Sequence, residues 1–460
     1  MDDCEQTAAL PPLCESAQSE NPLMPSSLPE SSAETQPARR LKLRRAIRDR
    51  VTPVPARLED LLPLEHLARL IWQAAERLDL SAFYAPISVA EGERGQAATD
   101  PLLLVALWLY ATSQGVSSAR ALAKLCTEHL AYIWLCGGVS LNYHTLSDFR
   151  VKHGAALDQL MTSVLAQLMH AGLVEFEHHA QAGMRVRASA GAASFHRQPS
   201  LEQALAHARA LVAALEPTDP PVAEEPTARE QAARERAARE QVERLEQALA
   251  EMPGVKASKP RAEQDEARVS STDPEARVMK MADGGFRPAY NWQFAVDTAQ
   301  RVITGVDVVN RGSDKAQLPP MVAQVAERCG QLPADWLMDG GFVDLVAMEA
   351  VSAQGPRILA PVPKPKDKSR DPHLPLADDA PAIAAWRARM GTAEAKQTYK
   401  LRAATVECVN AQARTRYNVL QVRVRGHAKV LCVALWVAIT HNLLLWLKQG
   451  VPSAPLACAT

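Results

Sequence analysis

The sequence has few cysteines, no paired-cysteine motif and almost no net charge. Its eight cysteines form no C-x-x-C pair, so neither a zinc ribbon nor a dithiol redox motif is readable. The 51 Lys and Arg residues balance 52 Asp and Glu, which leaves a formal charge of −1. Overall charge therefore does not indicate a nucleic-acid partner. The segment MDDCEQTAAL is acidic and lacks an apolar core, so we expect a cytoplasmic protein with reduced thiols and no secretory signal.

The composition is that of an ordinary globular protein. Of 460 residues, 47% are hydrophobic and 22% are charged, which excludes a wholly disordered or fibrous chain. One apolar stretch, 430–447, is long enough to span a membrane. Because His441 and Asn442 interrupt it, we predict a buried core helix and no membrane partner.

The N-terminal part divides into three segments. Residues 1–38 are rich in Ser, Pro and Glu and are predicted to be a disordered tail. The basic arm 39–57 opens with a stretch, 39–50, whose local charge is +6; a solvated face and a phosphate-contacting arm fit it equally well. Residues 58–172 show helical periodicity, with Asp100-Pro101 as a helix start. We predict a helical N-terminal domain over 58–172.

The character of the sequence changes after residue 172. Alternating β-prone residues predict a strand over 173–187, and a helical insertion rich in Ala, Glu and Arg follows at 200–271. We interpret this insertion as solvated or, alternatively, as a contact for a partner. A hairpin over 289–298 and 302–310, followed by strand–helix alternation, predicts a mixed α/β sheet covered by helices, over 173–450, with a tail at 451–460.

Two carboxylates stand out in this second region. Asp339 ends a predicted strand and precedes two glycines, and strand ends are where open α/β sheets build sites. Glu407 is the only acidic residue among eight cations between Lys396 and Lys429. A carboxylate in such a basic field suits a phosphodiester site with a divalent metal. The plainer interpretations are a helix-capping Asp and a surface ion pair.

Several motifs, in a fixed order, resemble one protein family. MADGGFRPAYNWQFAVDT, LMDGGF and YKLRAATVECVNAQAR are similar to the catalytic domain of bacterial insertion-sequence transposases of the DDE type, nearest the IS1182-like branch of the IS4/IS5-like superfamily. SLNYHTLSDFRVKH, at 140–153, resembles the N-terminal DNA-binding domain of these transposases. The resemblance covers about 58–450.

The resemblance implies a fold, an activity and a site. It implies an RNase H-like catalytic domain in which two Asp and one Glu hold two Mg²⁺ (or Mn²⁺) ions that activate water and then a DNA 3′-hydroxyl. Asp339 matches the second Asp of the family, and Glu407 matches its Glu. The basic signature around that Glu matches Tyr399, Arg402 and Arg414, which implies that these residues contact DNA or orient Glu407.

The first Asp of the family pattern is missing. The family reads Q-D-G-M-R-V-R-A-S-A-G where this chain has QAGMRVRASAG at 181–191, so Ala182 occupies the Asp position. A methyl group cannot ligate Mg²⁺. Either Asp297 or Asp307 on the predicted hairpin could replace the missing carboxylate, or this copy has lost most of its catalysis.

Two functions therefore remain open. The first is a transposase that binds terminal inverted repeats and cleaves and joins DNA, impaired by Ala182. The second is a catalytically inactive DNA-binding relative that occupies element ends or represses transposition. For both, the family chemistry implies double-stranded DNA as partner, a homodimer on that DNA, and a nucleoid-associated location in the bacterial cytoplasm.

Overall fold

A computed structural model describes residues 57–88, 97–215 and 228–449 of the chain. The predicted tail 1–38, nearly all of the basic arm and the tail 451–460 lie outside the described residues.

The region before the sheet is helical, as predicted. Its central helix, α3 (Pro101–Ser113), begins at the predicted cap, because the Asp100 carboxylate accepts a hydrogen bond from the Leu102 amide at 2.9 Å and Pro101 takes the first helical position. This helix is apolar on all sides, so it is buried almost throughout. The described helices of the region are α1 Leu67–Ala75, α2 Ser81–Tyr84, α3, α4 Ala119–Glu128, α5 Leu130–Cys136, α6 Tyr143–Lys152 and α7 Gly154–His170.

A mixed sheet follows, and the α/β fold class is confirmed. Its strand order is β4-β5-β1-β7-β8, with β6 pairing to β5 beyond the end of β4. Strand β1 is antiparallel to β5 and parallel to β7. The strands are β1 His178–Arg187, β4 Arg277–Lys280, β5 Phe286–Asp297, β6 Ile303–Val309, β7 Asp335–Leu337 and β8 Arg357–Leu359; β2 Phe195–His196 and β3 Val269–Ser270 pair separately.

The predicted hairpin is present as β5 and β6, which pair antiparallel. The first strand was predicted five residues too long at its N-terminal end, since β1 begins at His178. Gly172 adopts a left-handed φ of 69° and turns the chain after α7, so residues 173–177 form a connection before the sheet.

The predicted helical insertion consists of two long helices, α8 Gln198–Leu215 and α9 Ala228–Ala257, and a 3₁₀ helix, Arg261–Glu266. The two α-helices pack on each other around a small core of their own that contains Leu201, Leu245 and Met252. Most other positions along α9 are exposed. The insertion is therefore a self-supporting helical hairpin.

The helices that follow β6 cover the sheet. Helix α10 (Leu318–Cys329) lies on the face of β1 that carries Gln181, because the Gln181 amide nitrogen donates to the Gln317 carbonyl at 3.0 Å. The others are α11 Leu345–Ser352, α12 Pro381–Gly391, α13 Ala393–Tyr399, α14 Cys408–Thr415 and α15 His427–Lys448, with a π-helical turn, Ala403–Glu407, before α14.

Helix α15 is long and apolar enough to cross a membrane, the one such helix among the residues searched. Within the structure, 83% of its most apolar window is buried. The Asn442 side chain accepts from the Ile303 amide at 2.9 Å and donates to the Ile303 carbonyl at 2.8 Å. The polar residues that interrupt the apolar run thus bind the sheet, as expected of a core helix.

The buried His441 side chain of α15 is expected to make the stability of the fold sensitive to acid. Burial lowers the pKa of His441 from 6.5 to about 4; a bond to the Arg301 carbonyl opposes this shift, and Arg416, Lys448 and Arg301 add to it. The unfolded chain therefore binds more protons between pH 6.5 and 4, so stability present above pH 6.5 is lost as pH falls. We expect His441 to account for about 3 kcal/mol of that loss.

Urea unfolding of the protein between about pH 7.5 and 4.5 tests this expectation. A His441→Gln variant should show a flatter pH dependence, whereas His207→Gln, on the exposed side of α8, should behave as the parent. Equal pH dependence in the parent and His441→Gln would contradict the assignment.

Candidate active site

Asp339 lies just after β7, at the predicted strand end. Its side chain caps the short 3₁₀ turn Gly340–Phe342, and Oδ1 accepts a hydrogen bond from the Gly341 amide at 2.7 Å. The residue is half-buried. Asp339 therefore combines the capping role with a position at the edge of the sheet where a substrate could reach the second carboxylate oxygen.

Glu407 lies in the π-helical turn that precedes α14. This turn sets the Arg402 guanidinium and the Glu407 carboxylate against each other, with Nη2 donating to Oε1 at 2.6 Å. The same guanidinium lies 5.9 Å from the Tyr399 ring centroid. Single π turns inside α-helices occur frequently at functional sites, and sequence periodicity alone did not reveal this one.

Tyr399 connects the two carboxylates electrostatically. Burial raises the pKa of the Tyr399 phenol, the Arg402 charge opposes the shift, and the charges of Asp339 and Glu407 both add to it. The structure thus brings together four of the predicted site residues, Asp339, Glu407, Tyr399 and Arg402.

Arg414 lies elsewhere. It is half-buried near the end of α14, about two helical turns beyond Glu407, and it lines a surface cleft with Arg185 and Arg187 of β1.

Ala182 lies where the register of the sheet requires the partner of Asp339. The last paired residues of β1 and β7 are Ala180 and Leu337, and two further residues along each chain reach Ala182 and Asp339. The side chain of Ala182 is 4% exposed. Continued for two residues beyond its last pair, this parallel register would set Ala182 level with Asp339, and the Ala182 side chain has no oxygen to offer.

The two carboxylates considered as replacements lie on the wrong face of the sheet. Asp297 pairs in register with His179, and Asp307 is level with Gly183 through Gln293. These two β1 positions, His179 and Gly183, are three residues and one residue from Ala182. Because successive side chains of a strand alternate between the two faces of the sheet, Asp297 and Asp307 point to the face opposite Ala182. Burial raises the pKa of both carboxyl groups. The expectation that either could lean towards Asp339 is wrong for this structure.

A carboxylate that sequence reasoning missed lies closer. Asp314 is 5% exposed in the loop after β6. A Cβ atom on Gly341 would lie 2.9 Å from Asp339 Oδ1 and 3.7 Å from Asp314 Oδ2, so the two carboxylates flank the same backbone. The available signal was an Asp in the loop after β6, five residues past the end of that strand, which runs in the same direction as β7, the strand before Asp339.

Asp314 is nonetheless fully engaged. Its Oδ1 accepts from Asn291 Nδ2 at 2.7 Å and from Gln293 Nε2 at 2.8 Å, and its Oδ2 accepts from Arg185 Nη2 at 3.1 Å. Both oxygens of Asp314 are thus hydrogen-bonded, one of them to an arginine, so this carboxylate anchors Arg185 to the sheet.

The donor set does not fit a two-metal centre. Ala182 supplies no ligand, one Asp339 oxygen accepts from a backbone amide, and one Glu407 oxygen accepts from Arg402. Among the described residues, no group of three or more His, Cys, Asp or Glu side chains is placed to hold a metal ion. The site retains two carboxylates and lacks the one expected to touch both ions.

Comparison with known protein families gives two matches. Residues 56–152 match the family described as "Transposase domain (DUF772)", and residues 376–445 match the family described as "Transposase DDE domain". No curated protein and no solved structure matches the chain. The second match includes Tyr399, Arg402, Glu407 and Arg414 and begins after Asp339.

Two segments of the chain thus resemble transposase domains, one within the N-terminal helical region and one after the last strand of the sheet. The C-terminal match, over 376–445, is to a DDE transposase domain, and the mixed α/β architecture is consistent with the RNase H-like fold of such domains. Transposases act on DNA, and the DDE family generally uses a divalent metal.

Proposed function

We propose that this protein is an IS1182-like transposase that binds the terminal inverted repeats of its own insertion sequence. Its helical N-terminal region carries the sequence similar to the family's DNA-binding domain. Tyr399, Arg402 and Arg414 contact the DNA or orient Glu407. Cleaving two ends requires two catalytic domains, so the protein acts on DNA as a homodimer in the bacterial nucleoid.

We further propose that DNA cleavage and strand transfer are impaired in this copy. The observation that carries this proposal is the parallel β1–β7 pairing, which ends at Ala180 and Leu337, two residues before Ala182 and Asp339. A family enzyme would hold Mg²⁺ or Mn²⁺ with three carboxylates, of which Asp339 and Glu407 are the remaining two. Neither Asp297 nor Asp307 points towards this pair, which removes the two replacements that the sequence allowed.

The second candidate, a catalytically inactive relative that occupies element ends or represses active copies, rests on the same substitution. The two candidates share DNA binding and differ in the amount of DNA nicking, which is low for the impaired transposase and absent for the inactive relative. The same side chains support both, and a measurement of nicking separates them.

The test uses labelled duplexes taken from both ends of the element that encodes the protein. We expect a gel shift with these ends and none with a scrambled duplex of equal length. In the same tubes, Mg²⁺ or Mn²⁺ should give little nicking for the impaired enzyme and none for the inactive relative. Efficient nicking by the protein as it stands would contradict the impairment, and the absence of any end-specific shift would contradict the transposase proposal.

A further inference from the structure

Four arginines line one surface cleft at the edge of the sheet. Arg185 and Arg187 come from β1, Arg287 comes from β5 and Arg414 comes from α14. The cleft has a volume of about 350 Å³ and opens to solvent. Three distant segments of the chain thus converge to present cationic side chains in one place.

The positive charge of this arginine cleft is only partly neutralised. Arg287 pairs with Asp283 at 2.8 Å, and Arg185 pairs with Asp314 at 3.1 Å. Arg187 and Arg414 form no ion pair with any residue that the structure describes. The cleft therefore keeps an excess of positive charge on a chain whose formal charge is −1.

The Arg185 side chain in this cleft is held in place by hydrogen bonds within the protein. The Arg185 guanidinium donates to the Gly312 carbonyl at 2.6 Å and to Asp314, while Asn291 and Gln293 hold Asp314 from the sheet. The Arg185 side chain is still 30% exposed. Its conformation is thus set before any ligand arrives, which lowers the entropic cost of binding.

The cleft adjoins the candidate active site. Asp314, which holds Arg185, flanks the same Gly341 backbone as Asp339. A polyanion that lies along the arginines would therefore continue towards Asp339. An arginine fork matches phosphate geometry bidentately and is the side chain of choice for a phosphodiester backbone.

We propose that this arginine cleft binds the phosphate backbone of duplex DNA beside the active site, with Arg187 and Arg414 as the principal contacts and Arg185 positioned by Asp314. The inference rests on the proposed function and adds three arginines, Arg185, Arg187 and Arg287, that the transposase motifs do not assign to DNA.

The test compares salt-dependent binding of a fluorescent 30-bp element-end duplex by the parent and by Arg187→Gln/Arg414→Gln. Loss of two phosphate contacts should weaken binding at least about tenfold and reduce the slope of log Kobs against log salt by about 2. Arg187→Lys/Arg414→Lys keeps the charge and should restore the slope while binding more weakly than the parent.

The matched control is Arg301→Gln/Lys448→Gln, which removes the same charge at the opposite end of β5, and it should bind as the parent. Asp314→Asn releases Arg185 and raises the net charge of the cleft by one, so it should leave the slope at least as steep as that of the parent. If the parent binds but the Arg187/Arg414 variant binds equally well with the same slope, the cleft is not the DNA site and the proposed function stands. If the parent binds no duplex, both are overturned.

Discussion

Replacing Ala182 by aspartate is expected to raise metal-dependent nicking of element-end DNA on the order of 10³-fold. The β1–β7 pairing ends at Ala180 and Leu337, two residues before Ala182 and Asp339, so we expect the new carboxylate to complete the set with Asp339 and Glu407. A catalytic metal ion contributes several kcal/mol of transition-state stabilisation, and each 1.36 kcal/mol is a factor of ten in rate. The measurement is Mn²⁺-dependent nicking by the parent and by Ala182→Asp at equal protein concentration.

A second readout does not depend on activity. Two adjacent carboxylates repel each other in the absence of metal, so Ala182→Asp should melt below the parent in EDTA. Saturating Mn²⁺ should then raise its melting temperature much more than that of the parent, by the equivalent of about 3 kcal/mol at 100 times Kd. This difference would show that the new carboxylate binds the ion.

Ala182→Asn is the matched control, because it has nearly the same shape as aspartate but no charge. It should neither nick DNA nor gain the Mn²⁺ response. Ala182→Asp/Asp339→Asn should lose both gains, since it removes the other half of the pair. Nicking by the parent at the level of Ala182→Asp would show that the assignment of residue 182 is wrong.

The second large effect is expected at Gly183, the residue after Ala182, where a substitution should lower the stability of the fold. A Cβ on Gly183 would lie 2.3 Å from Asp314 Oδ1, 2.7 Å from Asn291 Oδ1 and 2.7 Å from Gln293 Nε2. These atoms belong to the buried network that holds Arg185, so the methyl group must displace hydrogen-bonded polar groups. Gly183→Ala is therefore expected to destabilise the protein by about 3 kcal/mol.

Urea unfolding of Gly183→Ala and Gly340→Ala at pH 7 measures this effect. Gly340 has no atom within 4 Å of the position of a Cβ, so its substitution should change the free energy of unfolding by less than about 0.5 kcal/mol. If the two variants unfold at the same urea concentration, then the network above Gly183 adapts freely and does not hold Arg185 in place.

Local patterns predicted most elements of this protein because local interactions determine them. Asp100 and Pro101 begin α3 through a side-chain cap and a fixed φ, which depend on neighbouring residues only. The alternating residues of β5 and β6 predicted a hairpin because their connection is short. The start of β1 was misplaced, since β-prone residues before His178 have no strand partner that sequence can specify.

The sequence predicted some residues of the candidate site and could not decide among others, because that choice depends on tertiary contacts. Asp339 and Glu407 were found from their position after a strand and in a basic segment, together with the ordered motifs. The choice among Asp297, Asp307 and Asp314 depended on which sheet face and which loop each occupies. Only pairing of distant strands decides that, because a change of one residue in register reverses the face.

The sequence by itself determined that this protein has a helical region followed by a mixed α/β domain, that it carries transposase motifs, and that alanine stands at residue 182. Composition, periodicity and motif order are all properties of the chain. The tertiary structure alone decided that β1 and β7 pair in parallel up to Ala180 and Leu337, that Asp314 and Asp339 flank the same backbone, and that arginines from β1, β5 and α14 share one cleft. These placements bring together residues that are distant in the sequence, and they arise from strand pairing and helix packing, which no local preference encodes.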